Sequence, residues 1–225
     1  MTSRLARRIL RHHIPIGAIS IASAFALYIT RSYPDVLTRL SFSSAYPALV
    51  LIGITLVIGP LKVISGERTA ISLDIRRDIG IWAGLMGAFH AIVGQCVHLR
   101  GRPWLYYIYE NWEEKHALPM RHDLFGLANY TGLTAALALL ILLATSNDAS
   151  MRKLGVSRWK RFQRWNYYCF VLTAVHTLTY QVGIESPQVA FIGIAALLMA
   201  VAGLFQLTGY RRRRAVLTYG SMTGR

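Results

Sequence analysis

The sequence predicts an all-α membrane protein, a bundle of six transmembrane helices, from its composition and from its apolar stretches. Hydrophobic residues make up 54% of the 225 residues, and the mean hydropathy is +0.37. Charged residues make up only 16%, against roughly 25% in soluble domains. Six stretches approach the length of about 20 mostly apolar residues that a spanning helix needs. These stretches are residues 14–31, 45–64, 78–98, 124–145, 164–182 and 187–208.

Turn residues, charges or prolines bound each stretch. The first begins at Ile14, after a basic arm, and the small residues at 22–24 resemble a signal-peptide cleavage site; we favour a first transmembrane helix. The second and fourth are almost free of charge. The third and fifth follow basic segments that end at Arg77 and Arg164, and the sixth precedes the four arginines at 211–214. Each boundary therefore agrees with a helix that enters or leaves a membrane.

The distribution of charge sets the predicted orientation. With the N-terminus on the cytoplasmic side, 19 of the 25 Lys and Arg residues fall in cytoplasmic segments. An excess of Lys and Arg marks the cytoplasmic side, so both termini are predicted to be cytoplasmic. The net charge of +15 then belongs to membrane anchors suited to anionic lipid. We expect no nucleic-acid partner. Residues 1–225 are predicted to form one domain, because no long stretch is left for a soluble one.

Two of the seven histidines lie deep in predicted spans, at matching depth. His90 follows Arg77, and His176 follows Arg164, at nearly the same interval along the chain. At a rise of about 1.5 Å per residue, both lie roughly 18–20 Å up parallel helices, and ionisable residues within a membrane are rare and functional by default. Small residues such as Gly87 share their helix faces and leave room for a flat ligand. Two such imidazoles can bind one iron from opposite sides, or each can simply hydrogen-bond across a helix interface.

The other histidines and the cysteines are given ordinary roles. His98, at the outer end of the third stretch, is expected at the interface, with a role near a redox site as the alternative. Cys96 and Cys169 form no CxxC motif and are expected to be packing residues. Surface or interfacial positions are expected for His12, His13, His116 and His122.

Two segments resemble a known family. Residues 76–94, RRDIGIWAGLMGAFHAIVG, and residues 143–180, which include ATS, KLG and RW in a linker before the fifth stretch, resemble the ferric-reductase-like transmembrane domain family. Within it they are similar to the haem-binding membrane subunits of methionine sulfoxide reductase, the MsrQ type. The resemblance implies a six-helix b-type cytochrome that carries electrons across a bacterial inner membrane. It also implies that His90 and His176 are the axial ligands of haem b.

The sequence departs from the family pattern at the inner end of the bundle. Members with two stacked haems carry a further histidine on the fifth helix, at the position where this chain has Gln163. The corresponding inner position before His90 is Arg76. The interval from Gln163 to His176 spans about 20 Å of helix, the separation that two stacked cofactors need. With Gln163 and Arg76 at the inner positions, the inner pair of ligands is missing. We therefore expect one haem per chain, towards the outer side.

The external segment, residues 99–123, is rich in aromatic side chains and glutamates. It either lies along the membrane interface, or docks an external redox partner or covers the haem edge. Guanidinium groups bind carboxylates bidentately, so three arginines in this segment are candidate partners of the haem propionates. These are Arg100, Arg102 and Arg121.

We expect the electron-transfer subunit of an oxidoreductase system, with its acceptor on the outer, periplasmic side. The donor would be a quinol or a separate flavin reductase, because the chain has no GxGxxG fingerprint of its own. The alternative is a haem-free scaffold or assembly subunit of a larger complex, in which His90 and His176 only form buried hydrogen bonds. A transporter is a weaker alternative, because no internal repeat is evident and no acid is expected within a helix core.

Overall fold

Helices account for most of the chain in the computed structural model, which describes residues 3–33, 35–66, 73–99, 101–184 and 188–223. Within those ranges the β-structure is limited to one isolated bridge, between Ile108 and Met120. An all-α fold is therefore confirmed. The α-helices, in chain order, are α1 Ser3–Arg8, α2 Ile14–Thr30, α3 Val36–Ser65, α4 Leu73–Gly94, α5 Trp112–Lys115, α6 Leu124–Ala144, α7 Asp148–Leu154, α8 Val156–Phe162, α9 Asn166–Leu178 and α10 Val189–Thr223.

Two π-helical segments extend the long helices. Ile9–His13 joins α1 to α2, so the chain runs as one helical rod from the N-terminal arm into the first predicted span. Thr179–Ile184 continues α9. Single-turn π segments within helices occur frequently at functional sites.

Helices occupy all six predicted stretches, and the described residues include four helices that are long and apolar enough to cross a membrane. These four are Leu5–Thr30, Val36–Ser65, Leu124–Ala144 and Val189–Ala215. The helices α4 and α9 are not among them. α4 carries four charged residues in its first two turns, and α9 is short before its π-helical extension.

Two helix ends that differ from the predicted ones are fixed by hydrogen bonds with side chains. α3 starts nine residues earlier than predicted, since Asp35 accepts a hydrogen bond from the N–H of Thr38 at 2.9 Å. α4 ends at Gly94, before the predicted limit of 98. There the hydroxyl of Tyr106 donates to the carbonyl of Gly94 at 3.1 Å and accepts from the N–H of His98 at 2.8 Å. That hydroxyl thus bridges the N–H of His98 and the carbonyl of Gly94, which would bond directly to each other in a continued α-helix.

The helix α3 lies at the centre of the bundle and packs against α2, α4, α9 and α10. The core contains Ile52 and Leu56 of α3, Ala83 of α4 and Cys169 of α9, each at most 2% exposed. Cys169 thus has the packing role expected of it, whereas Cys96 is exposed. This central packing brings α4, α6 and α9 around one side of α3, where the site lies.

One prediction was wrong: α4 buries an acid. The side chain of Asp78 is 0% exposed and accepts a hydrogen bond from Arg8. His12 Nδ1 lies 2.7 Å from its Oδ2, and His13 Nε2 lies 3.3 Å from its Oδ1. We call these four residues the N-terminal ion cluster. The two histidines, expected at a solvated interface, instead hold the N-terminal rod against α4, because a buried carboxylate requires partners.

Candidate functional site

His90 on α4 and His176 on α9 lie next to each other, as their matching depth predicts. Their ring centroids are 6.0 Å apart, and the ring planes meet at 72°. A bond of about 2.0 Å from a metal to each imidazole nitrogen requires two rings on opposite sides of one metal to be about 6 Å apart. The observed separation therefore fits two ligands of a single metal ion.

A backbone carbonyl fixes the orientation of each imidazole. Nδ1 of His90 lies 2.9 Å from the carbonyl oxygen of Ser41 on α3. Nδ1 of His176 lies 2.7 Å from the carbonyl oxygen of Ala128 on α6. A carbonyl oxygen can only accept, so Nδ1 carries the hydrogen in both rings. In a neutral imidazole the other nitrogen then has a free lone pair, which leaves both Nε2 atoms available to a metal.

A glycine makes room for one of the rings. A Cβ atom added to Gly132 of α6 would lie 2.5 Å from Nδ1 of His176, closer than non-bonded atoms approach. The absence of a side chain at Gly132 therefore allows α6 to come close enough for Ala128, one turn earlier, to accept the hydrogen bond. Close contact through small residues is usual between membrane helices.

Both histidines line a cavity of about 190 Å³. At the end formed by the later residues of α3 and α6 its wall is apolar, with Ile52, Ala135 and Leu139. At the opposite end the wall is polar, and the residues there are Tyr33, Thr38, Gln95, His98, Asn129, Tyr180 and Gln181. The cavity therefore suits an amphiphilic ligand, with its apolar part towards one end and its polar part towards the other.

The predicted small residues lie where the helix faces place them. Gly87 and Gly94 of α4 line the cavity beside His90, and Thr173 of α9 lines it beside His176. Ala83 faces the core instead. The stripe on α4 thus changes from packing to cavity lining along its length.

Two of the three predicted arginines, Arg102 and Arg121, have carboxylate partners and are not among the residues that line the cavity. Arg102 pairs with Glu110, with 2.5 Å between Nη1 and Oε1. Arg121 pairs with Asp123 at 2.6 Å and also donates to the carbonyl of Leu105 at 3.3 Å. Arg100 lies outside the described residues. A propionate-binding role for the three arginines stays a prediction.

Comparison with curated proteins finds MsrQ subunits among the relatives. The chain is 29% identical over 160 residues to the protein-methionine-sulfoxide reductase heme-binding subunit MsrQ of Deinococcus radiodurans, which is 71% of this chain and 69% of that protein. It is 30% identical over 148 residues to MsrQ of Azospira oryzae, 64% of this chain and 57% of that protein. It is 28% identical over 153 residues to MsrQ of Pectobacterium atrosepticum, 68% of each chain. The chain is thus similar to MsrQ subunits.

The resemblance to MsrQ-type subunits is therefore confirmed, over roughly two thirds of the chain. No family model matches the chain, and no solved structure matches it. With its apolar helices, the similarity to heme-binding membrane subunits identifies a multi-pass membrane protein.

Gln163, the residue predicted to lie at the inner end of the bundle, has different surroundings from His90 and His176. Nε2 of Gln163 donates to Oγ1 of Thr145 at 3.3 Å, and the indole of Trp159 donates to the carbonyl of Thr145 at 2.9 Å. Gln163 is thus engaged with the end of α6. Among the described residues, no group of three or more His, Cys, Asp and Glu side chains is arranged to hold a metal ion.

Sequence reasoning missed Gln181 and left the role of His98 undecided. Gln181 is only 5% exposed, and its Oε1 has no hydrogen-bond partner among the described residues. It lies in the π-helical segment after α9, five positions beyond His176. A glutamine within an otherwise apolar span is a polar signal that could have been noticed, but its orientation towards the cavity depends on the π-helical geometry.

Proposed function

We propose that this chain is the membrane electron-transfer subunit of an MsrQ-type system and holds one haem b between His90 and His176. The observation that carries the proposal is the pair of imidazoles, whose ring centroids are 6.0 Å apart and whose Nδ1 atoms are each hydrogen-bonded to a backbone carbonyl. Three relatives are named heme-binding subunits. When bound, the haem would supply one-electron cycling between iron(III) and iron(II).

The chain's own residues orient the ligands and shield the site. The carbonyls of Ser41 and Ala128 fix the tautomer and the ring orientation, and a hydrogen bond from Nδ1 makes Nε2 a stronger electron donor. The apolar wall formed by Ile52, Ala135 and Leu139 excludes water from one end of the cavity. A dry, low-dielectric surrounding disfavours the more highly charged iron(III) state, so this wall would raise the reduction potential.

We propose a single haem because His90 and His176 are the only histidines among the described residues of α4, α6 and α9, the helices around the cavity. Gln163 and Arg76 stand at the inner positions where two-haem members of the family have ligands. A glutamine amide binds iron poorly beside imidazole, and a guanidinium has no lone pair to offer. Electrons from the cytoplasmic side would therefore cross the inner half of the bundle without a second metal.

We propose six transmembrane spans in one domain, with both termini in the cytoplasm and the chain in a bacterial inner membrane. The four long apolar helices and the distribution of Lys and Arg support this topology. α4 and α9, which carry the ligands, would be the two remaining spans, shielded from lipid on their polar sides by α3 and α6. The basic segments would contact anionic lipid.

The proposed donor is a quinol or a separate flavin reductase, and the proposed acceptor is an external reductase subunit. The relatives' names place them in protein-methionine-sulfoxide reductase, so repair of oxidised methionine is the proposed terminal task. The external segment, residues 99–123, would meet this partner, because it lies at the polar end of the cavity.

The test compares haem content in three single variants of the detergent-purified chain. We expect His90→Ala and His176→Ala each to retain less than about a tenth of the wild-type haem. His122→Ala is the control, because His122 is exposed on the outer segment, and it should retain all of it. If all three variants kept full haem with an unchanged low-spin spectrum, the ligand assignment would be wrong. If neither they nor the wild type bound haem under haem-replete expression, the scaffold alternative would replace it.

A further inference from the structure

The polar end of the cavity contains two side chains that the ligand pair does not use. Gln181 is 5% exposed, and its Oε1 has no hydrogen-bond partner in the part of the chain that the structure describes. The ring of His98 stacks on Tyr180, with 6.0 Å between centroids and 12° between planes. Among the described residues, this ring makes contacts with other rings and no side-chain hydrogen bond. Both side chains line the cavity.

Both residues follow the ligand histidines in the same direction. His98 lies eight positions after His90, in the turns that follow α4, and Gln181 lies five positions after His176. Tyr180 connects the two ligand shells, because its ring is 5.1 Å from that of His176 and 6.0 Å from that of His98. The hydroxyl of Tyr180 is already committed to Oδ1 of Asn129 at 3.0 Å. His98 and Gln181 thus remain as donors at the polar end of the cavity.

We propose that His98 and Gln181 bind the propionate carboxylates of the haem. The proposal rests on the proposed function, since it takes haem as the occupant of the cavity. An imidazole N–H and an amide NH2 both donate to carboxylate oxygens, and a half-turn of the glutamine amide exchanges its NH2 group with its oxygen. Of the three arginines considered as propionate partners, the two that the structure describes, Arg102 and Arg121, are already paired with Glu110 and Asp123.

The amphiphilic wall supports the same orientation. The haem's methyl and vinyl edge would face Ile52 and Leu139, and its carboxylates would face the polar end. An unpaired carboxylate beside a buried amide would leave two polar groups without hydrogen bonds, which is costly in a low dielectric. Pairing His98 and Gln181 with the carboxylates satisfies both groups at once.

The experiment measures the rate of haem loss from the full chain to an excess of a haem-free globin scavenger. Wild type, His98→Leu, Gln181→Leu and His98→Gln are each loaded with natural haem and, separately, with haem whose two propionates are methyl esters. With natural haem, we expect each leucine variant to lose haem about tenfold faster, because hydrogen bonds to charged groups are among the stronger ones. His98→Gln, which keeps a donor, should stay within about threefold of wild type.

The ester distinguishes carboxylate binding from other roles. With the esterified haem, the leucine variants should lose haem at the same rate as the wild type loaded with the same ester. Equal rates for wild type and both leucine variants with natural haem would overturn the proposal, and so would an equally large effect with the ester. The second result would indicate that the two side chains retain haem through packing rather than through its carboxylates. A wild type that binds neither haem would overturn the proposed function itself.

Discussion

Gly132 of α6 lies directly against the imidazole of His176: a Cβ at this glycine would be 2.5 Å from Nδ1. The same nitrogen donates to the carbonyl of Ala128 at 2.7 Å. The ring therefore cannot move away from Gly132 without lengthening the hydrogen bond that sets its tautomer. Helix packing and ligand orientation are thus determined at the same contact.

The first prediction concerns this contact. Gly132→Ala should lower haem content at least threefold and increase the high-spin fraction, because the added methyl group displaces His176 from its position. Haem per chain and the visible spectrum measure this. Gly193→Ala is the matched control, since a Cβ at Gly193 of α10 meets nothing within 4 Å. A Gly132→Ala protein with a wild-type spectrum would show that the ring tolerates the displacement.

The second prediction concerns the N-terminal ion cluster. Asp78→Asn should destabilise the chain by about 3–5 kcal/mol, the usual effect of removing one partner from a buried ion pair. Arg8, His12 and His13 would lose the negative charge that they share, and an NH2 group would replace one of the two acceptor oxygens. Denaturant unfolding in detergent, followed by helix content, measures the loss. Glu110→Gln is the control: it breaks the exposed pair with Arg102 and should change stability by less than about 1 kcal/mol.

The ion cluster should leave the haem site intact, because it lies about three turns before His90 on α4. We therefore expect Asp78→Asn to keep its haem spectrum at moderate temperature. Equal stability of Asp78→Asn and Glu110→Gln would indicate that the cluster contributes no more than a surface pair.

The third prediction concerns acid. Partial burial by itself would raise the pKa of Asp123, but hydrogen bonds from Arg121 and from the N–H of Gly126 outweigh it and lower the pKa overall. A carboxyl whose pKa is lower in the folded state contributes stability at pH values above its unfolded pKa of about 3.9. This contribution is lost as the pH falls through the folded value.

Hydrogen exchange of the first turn of α6 should therefore accelerate below about pH 4, after correction for the intrinsic rate. Asp123→Asn keeps an N-cap acceptor but cannot titrate, so its exchange should not show this additional step. The same step in both proteins would assign the acid sensitivity to another group.

The fourth prediction concerns the missing inner ligand. Gln163→His introduces a histidine at the predicted inner position, one residue before the fifth predicted stretch, but Arg76 still stands at the corresponding position of α4. We therefore expect the ratio to stay at one haem per chain, as determined by pyridine haemochrome. The double variant Gln163→His with Arg76→His is the comparison, because it supplies both ligands. Two haems in the single variant would show that one imidazole suffices at the inner site.

The approximate positions of the helices and the closeness of His90 to His176 could be predicted from the sequence, because they depend on local apolar length and on a helical rise of about 1.5 Å per residue. The early start of α3 was missed, since its first nine residues include Arg39 and several serines and lower the apolar average. The burial of Asp78 was missed for a different reason. Its partners lie in the N-terminal arm, far from it along the chain, and only the packed fold brings them together.

The polar end of the cavity shows a similar limit. Guanidinium chemistry made the outer arginines reasonable propionate partners, but acids close in sequence pair with them: Asp123 lies two positions after Arg121. The alternative donors depend on backbone geometry beyond the regular helices. Gln181 is placed by a π-helical segment, and His98 by the turn that Tyr106 caps.

The number of haems per chain in the wild-type protein tests the central claim most directly. The measurement is a pyridine haemochrome assay together with a reduced-minus-oxidised spectrum of the full chain, purified in detergent from haem-replete cells. The account predicts one low-spin b-type haem per chain. A ratio of two would contradict the single site between His90 and His176, and a protein without haem would contradict the electron-transfer function.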